Sequence, residues 1–269
     1  MTSSAGPRWR RVSEQLGERD WAVLHDLARM RLLSVRQIQR LHVQAGSQLT
    51  RARRARALTQ RLHGLGLLTR LERRVGGVHA GSAGGVFTLS RLGQRLASGH
   101  GPAGGNRLRQ PWEPSPMFTD HILAVSELYV GLRELEMDKV IEDLAFEAEP
   151  ACWRDWVDVG GERLVVKPDA FVRFGKGELE ISLFVEVDRA SQSQTVIRKK
   201  GEVYLRYFDN GEEQRRHGVF PRIVFVTATA KRRDQLVQAL SRLDANYWRL
   251  FQVQLTDEFI GDVGRAPPP

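Results

Sequence analysis

Twenty residues near the middle of the chain, SGHGPAGGNRLRQPWEPSPM at 98–117, constrain the fold more than any other feature. Gly and Pro recur too often there for a helix or strand interior, and no apolar period runs through them. The segment reads as a linker. It divides the 269 residues into a domain of residues 1–97 and a domain of residues 118–269, each of which must bury its own core. An apolar content of 41% is sufficient for two such cores.

The charge follows the same division. The first 110 residues hold 20 Arg, no Lys and 5 Asp+Glu, whereas the remainder holds 21 Lys+Arg against 27 Asp+Glu. A basic block joined to a mildly acidic one predicts a polyanion partner for the first block alone. The single cysteine, Cys152, excludes an intramolecular disulfide and reads as a small buried apolar residue rather than a nucleophile. The first residues lack a signal-peptide core, and no apolar run reaches the length of a membrane span. The expectation is a soluble cytoplasmic protein without a membrane partner.

In the first block, ERDWAVLHDLARMR spaces Trp21, Leu24, Leu27 and Ala28 as one helix face. Ser34 and Gln37 form an S-x-x-Q capping box ahead of a helix with Val35, Ile38 and Leu41 on its apolar side. A third helix, QLTRARRARALTQRLH, carries Ala55, Leu58, Leu62 and Leu65 on its core face and ends at Gly64 and Gly66. Two strands, LLTRLERR and GGVFTL, flank the turn VGGVHAGSAGG, and SRLGQRLA closes the block as a short helix. Three helices and a β-hairpin describe a winged helix-turn-helix, in which the third helix enters the major groove and the wing follows the backbone.

On that third helix Arg53, Arg56 and Gln60 lie opposite the core face, Arg54 and Arg61 occupy a flank, and Arg51 belongs to the same basic set. A charge run is usually only a solvated face. Here the charges have one sign and no acid at i,i+4 relieves them, a costly arrangement unless a polyanion is bound. The expected partner is double-stranded DNA, with Arg73 and Arg74 of the wing adding phosphate contacts. The glycine-rich turn has G-x-x-x-x-G spacings but no following G-K-[ST], so it is no nucleotide phosphate loop.

The second block opens with a helix over DHILAVSELYVGLREL, headed by His121, whose ordinary role is a local hydrogen bond. Strands follow at LAFEAE, LVVKPDAFVRF and ELEISLFVEVDR, then a helix over SQSQTVIRKKGEVYLRYF with a capping box at Ser191 and Gln194. PRIVFVTA, KRRDQLVQALSRL and WRLFQVQL complete the block as strand, helix and strand, a mixed α/β sheet. Trp153, Trp156 and Trp248 read as core or edge anchors. Glu186 and Asp188 are two apart on one strand and share a face, and Asp169 follows Pro168 on the strand before. Such carboxylates suit Mg²⁺ or Mn²⁺, or else pair with Arg189, Arg198 or Lys200 as a structural ion cluster.

An acid on the first helix, PD on one strand and an acidic pair on the next resemble the PD-(D/E)xK nuclease-like fold. More closely, the winged helix joined to HILAVSELYVGL, KPDAF, FVEVDRAS and KGEVYLRY resembles the replication-relaxation family of bacterial and plasmid DNA-associated proteins, over roughly residues 18–208. The resemblance implies an α+β protein: a winged helix-turn-helix domain followed by a mixed α/β PD-(D/E)xK-like domain. It implies Glu127 as the helix acid, Asp169 as central metal ligand and Glu186 as second ligand. The nuclease lysine two residues after that acid is replaced by Asp188, and Lys200, four residues before Tyr204, is its substitute. The leading functional expectation is a duplex-DNA-binding regulator, or a replication or mobilisation accessory factor, with no certain cofactor. Its acidic domain then serves assembly, including homodimer formation, or partner contact. The alternative is an Mg²⁺- or Mn²⁺-dependent DNA endonuclease.

Overall fold

The computed structural model describes residues 8–71, 85–99, 115–158 and 160–265. The chain is an α+β protein whose contacts divide it into two compact units, residues 1–130 and 131–269. The expected linker at 98–117 lies ahead of this division, and residues 100–114 of it fall outside the described residues.

The first unit runs α1 (Arg8–Ser13), α2 (Glu18–Met30), β1 (Leu33–Ser34), α3 (Val35–His42), α4 (Gln48–Gly64), β2 (Leu68–Leu71), β3 (Val86–Leu89) and α5 (Arg91–Ala97), then enters α6 (Pro116–Met137). Its three strands form an antiparallel sheet in the order β1-β3-β2. The expected helices at α2, α3, α4 and α5 and the strands β2 and β3 are present, with α1 and β1 in addition. The α2 core face is Val23, Leu24, Leu27 and Met30, while Ala28 is exposed and Trp21 only partly covered. The Ser34–Gln37 capping box forms as expected: the Gln37 amide donates to Ser34 Oγ and the Ser34 amide to Gln37 Oε1.

Helix α6 supplies part of this core. Ile122 is buried with Leu32 and Val86, Ser126 Oγ donates to the Leu32 carbonyl at 2.9 Å, and Gln37 Nε2 donates to the Leu123 carbonyl at 3.0 Å. The Tyr129 hydroxyl donates to Asp26 Oδ1 at 2.6 Å. Burial would raise the Asp26 carboxyl, but pairing with His42 and Tyr129 holds it below its usual value.

The second unit takes the end of α6 and adds β4 (Glu142–Ala148), β5 (Arg154–Val157), β6 (Arg163–Val166), β7 (Ala170–Lys176), β8 (Leu179–Asp188), α7 (Gln194–Asn210), α8 (Glu212–His217), β9 (Arg222–Thr227), α9 (Ala230–Leu240), a 3-10 turn (Ala245–Leu250), β10 (Phe251–Leu255) and α10 (Thr256–Gly264). Its main sheet has the order β10-β9-β8-β7-β4, with β4, β7 and β8 antiparallel and β8, β9 and β10 parallel. β5 and β6 form a separate antiparallel ribbon.

Two expectations for this unit need correction. LVVKPDAFVRF is two strands rather than one, because Pro168 lacks a ladder N–H and the chain changes sheets there. The cap of α7 is Ser193 rather than Ser191: the Val196 amide donates to Ser193 Oγ, and the helix begins at Gln194. The β7–β8 hairpin closes through Gly177, whose φ of 58° suits glycine. The core centres on Phe184, fully buried against Phe171, Tyr204, Tyr207 and Phe220.

Candidate nucleic-acid interface

Ser47 caps α4 by accepting from the Thr50 amide. Inward, the helix buries Ala55, Thr59 and Leu62, and the Thr59 hydroxyl turns back to the Ala55 carbonyl at 3.0 Å. Leu58 and Leu65, expected in the core, are only partly covered. Outward, Arg53, Arg54, Arg56, Gln60 and Arg61 are exposed, with Arg51 partly covered. No Asp or Glu occurs on α4.

The arginines are not equivalent. Arg61 pairs with the buried Asp20 of α2, Arg54 donates to the Ala45 carbonyl at 3.2 Å, and Arg51 donates to Gln48 Oε1 at 2.9 Å. Arg53 and Arg56 have no acidic partner among the described residues. A shallow groove on the flank of α4 is lined by Arg19, Asp20, Val43, Arg54, Ala57, Leu58 and Arg61. Arg73 and Arg74 lie outside the described residues.

In the second unit the acids do gather, and each finds a partner. Asp169 ends the crossing from β6 to β7. Its amide donates to the Val185 carbonyl, and its Oδ2 accepts the Val187 amide at 2.7 Å. Glu186 on β8 is 2% exposed; its Oε2 pairs with Lys200 and its Oε1 accepts the Tyr204 hydroxyl at 2.6 Å. Lys200 and Tyr204 are one turn apart on α7 and so reach the same carboxylate. α7 packs closely at Gly201 because it lacks a Cβ, which would lie 2.6 Å from Leu243 and 3.3 Å from Leu240 at the end of α9.

Asp188 is gripped by a residue that sequence reasoning missed. Arg232 of α9 donates Nε to Oδ1 at 2.6 Å and Nη2 to Oδ2 at 2.9 Å, and adds the Gln192 carbonyl at 2.6 Å. Forty-four residues separate the pair, and no local pattern marks Arg232 as the partner. The Lys200 pairing, by contrast, realises one of the expected ion-cluster contacts. Glu127 belongs to the first unit. Its carboxylate is engaged there by Arg40 on Oε1 and by Gln37 Nε2 on Oε2 at 3.1 Å.

Burial pushes the Glu186 carboxyl up to about 7, against the pull of Lys200 and with help from the Asp169 charge. Burial would lower Lys200, but the Glu186 and Asp169 carboxylates hold it above the ordinary lysine value. Burial, then the Glu186 charge, places the Tyr204 phenol well above its usual range. The pair thus keeps a proton on Lys200, and Glu186 is the member that gives way as pH falls. Cys152 is fully buried, donates to the Pro168 carbonyl and is pushed up to about 12 by burial, unsuited to nucleophilic work.

Mg²⁺ and Mn²⁺ need carboxylate oxygens with free lone pairs. Here Lys200 and Tyr204 take both oxygens of Glu186, and Arg232 takes both of Asp188. Among the described residues no group of three or more His, Cys, Asp or Glu side chains is arranged to hold a metal. The cluster as built does not fit a divalent cation. Among the described residues no helix is long and apolar enough to cross a membrane.

No curated protein and no solved structure shows a significant match to the chain. The family model for replication-relaxation matches residues 24–223, which takes in α4, β8 and α7 and agrees with the resemblance read from KPDAF, FVEVDRAS and KGEVYLRY. The chain belongs to the replication-relaxation family, which suggests a replication- or mobilisation-related role.

Proposed function

We propose that the protein binds duplex DNA through α4, as a regulator or accessory factor of a replication or mobilisation system. The observation that carries this reading is the outer face of α4. Arg53 and Arg56 are exposed there with no acidic partner among the described residues, on a helix that holds no acid. Guanidinium groups free of protein partners are available to guanine edges or phosphates, and the geometry of arginine favours bidentate contacts to guanine. Arg51, Arg54, Gln60 and Arg61 border this face and assist as phosphate contacts, and Arg73 and Arg74 add to the same basic set. The second unit acts as a scaffold or assembly module rather than a nuclease, because Glu186 and Asp188 are already paired with Lys200 and Arg232.

Fluorescence anisotropy with a labelled random duplex tests the reading. Binding should weaken steeply as salt rises, since neutralising phosphates releases counterions. It should weaken again in Arg53→Ala and Arg56→Ala chains that melt like the parent. Salt-independent binding, or unchanged affinity in both variants, would reject α4 as the DNA-reading element.

A further inference from the structure

Helix α4 carries one large apolar side chain in full view of solvent. Leu49 stands in its first turn and is 84% exposed, more than any other large apolar side chain among the described residues. A lone surface leucine is ordinary; the company this one keeps is not. At about 100° per residue, Leu49, Arg53, Arg56 and Gln60 fall within about 60° of one another, so they form one ridge along the helix. All four are exposed. Side chains beside the ridge are occupied within the protein: Gln48 accepts from Arg51, and Arg54 donates to the Ala45 carbonyl. The inward face belongs to Ala55, Thr59 and Leu62, so the core has no place for Leu49.

A helix docked in the major groove meets base edges with its N-terminal residues. Hydrogen-bond donors and acceptors make up most of what the groove displays, and the one apolar group among them is the C5 methyl of thymine. Leucine has no donor or acceptor to offer a base edge. Its favourable contact in the groove is therefore with that methyl, where two apolar surfaces leave water together. Arginine at the same position would select guanine instead.

We infer that Leu49 is a specificity-determining residue that covers the methyl of a thymine within about two base pairs of the guanine read by Arg53. The spacing follows from the helix, since four residues rise about 6 Å against about 3.4 Å for each base pair. The inference rests on the proposal that α4 reads duplex DNA, and it deepens that proposal by naming a base that no arginine selects.

The test starts from the duplex that the full chain enriches from a random pool. Each thymidine of that site is replaced in turn by deoxyuridine, which lacks only the methyl, and affinities are compared by fluorescence anisotropy. At one position the replacement should weaken the parent about fourfold, which is what burying one methyl-sized apolar group is worth. Leu49→Ala should bind the thymine and uracil forms of that position alike. Its melting temperature should match the parent's, because the side chain is exposed. A pool that yields no preferred site, or a site without thymine, overturns the inference. So does a parent indifferent to every uracil replacement, or a Leu49→Ala chain that still tells the two forms apart. Arg53→Ala and Arg56→Ala are titrated on the same duplexes. If they lose discrimination while uracil has no effect, α4 reads DNA and only the role of Leu49 falls. If they bind as the parent does, the proposal for α4 falls and takes this inference with it.

Discussion

Two regions of this protein concentrate charge of one sign, and they resolve the conflict in opposite ways. On α4 five arginines share a helix without one acid, and Arg53 and Arg56 stay exposed with no acidic partner among the described residues. On β8 and its neighbouring crossing, Asp169, Glu186 and Asp188 converge, yet each is engaged by an amide, a lysine and tyrosine, or an arginine. The difference lies in burial. Water screens the arginines of α4 at little cost, so they can remain uncompensated until a polyanion arrives. A buried carboxylate has no such option and must be paired or neutralised where it stands. Like charges in a sequence therefore point to a ligand only where the fold leaves them in solvent.

The largest effect should come from breaking compensation in the second unit. Arg232→Ala leaves the Asp188 carboxylate, 8% exposed, without its bidentate partner. Removing one member of a buried pair costs about 3–5 kcal/mol. Urea unfolding of the variant should show a loss of that size. Arg232→Ala combined with Asp188→Asn should recover much of it, because no charge is then stranded. An Arg232→Ala chain as stable as the parent would mean that the pair is ornamental and the comparison is wrong.

The next effect concerns pH. The folded Glu186 carboxyl titrates near 7 rather than 4.5, so the native state disfavours its ionised form. Its contribution to stability is thus fully present below about pH 4.5 and is lost as pH rises to about 7, with a ceiling on the order of 3 kcal/mol. Lys200 is raised from 10.5, so its own contribution is present throughout this window and is lost only at higher pH. Between pH 4.5 and 7 the parent should lose stability relative to Glu186→Gln, measured by unfolding at a series of pH values. Parallel curves for the two proteins would show that Glu186 is not the titrating group.

On α4 the same kind of substitution should leave folding alone and change recognition. Arg53→Ala and Arg56→Ala remove exposed side chains, so unfolding free energies should move by about 0.5 kcal/mol or less. Discrimination between a selected site and random DNA should fall by about 1–3 kcal/mol for each arginine that is bidentate to guanine. Urea unfolding reads the first quantity and a competition titration the second. If Arg53→Ala destabilises the fold as Arg232→Ala does, the contrast between the regions collapses.

Much of this arrangement is legible in the amino-acid sequence alone. The Ser34–Gln37 cap and the arginine face of α4 follow from spacings within a single element, and Lys200 reaches Glu186 from the helix that directly follows the acidic strand. The parts that are not legible are those set by distant partners. Arg232 meets Asp188 across 44 residues, Glu127 turns to Arg40 and Gln37, and Ile122 joins Leu32 and Val86. Helical period says which face of α6 is apolar but not which core receives it. At Pro168 an apolar run looks continuous, because periodicity does not reveal that its two halves belong to different sheets.

The smallest effect, and the sharpest test of the second unit, is a change that should be nearly absent. A cation entering the acid cluster would have to displace Lys200 and Tyr204 from Glu186 and Arg232 from Asp188. A ligand stabilises the native state by RT ln(1 + [L]/Kd), which is only about 0.4 kcal/mol when its concentration equals Kd. For a chain of this size that corresponds to roughly 1 °C in Tm. Millimolar Mg²⁺ or Mn²⁺ should therefore leave the melting temperature within about 1 °C of the EDTA value, with Kd at or above that concentration. Asp169→Asn should behave in the same way. A rise of several degrees in the parent that vanishes in Asp169→Asn would show that the ion pairs open to admit a metal. The second unit would then hold a working cation site, and the endonuclease reading would return with Asp169 and Glu186 as its ligands.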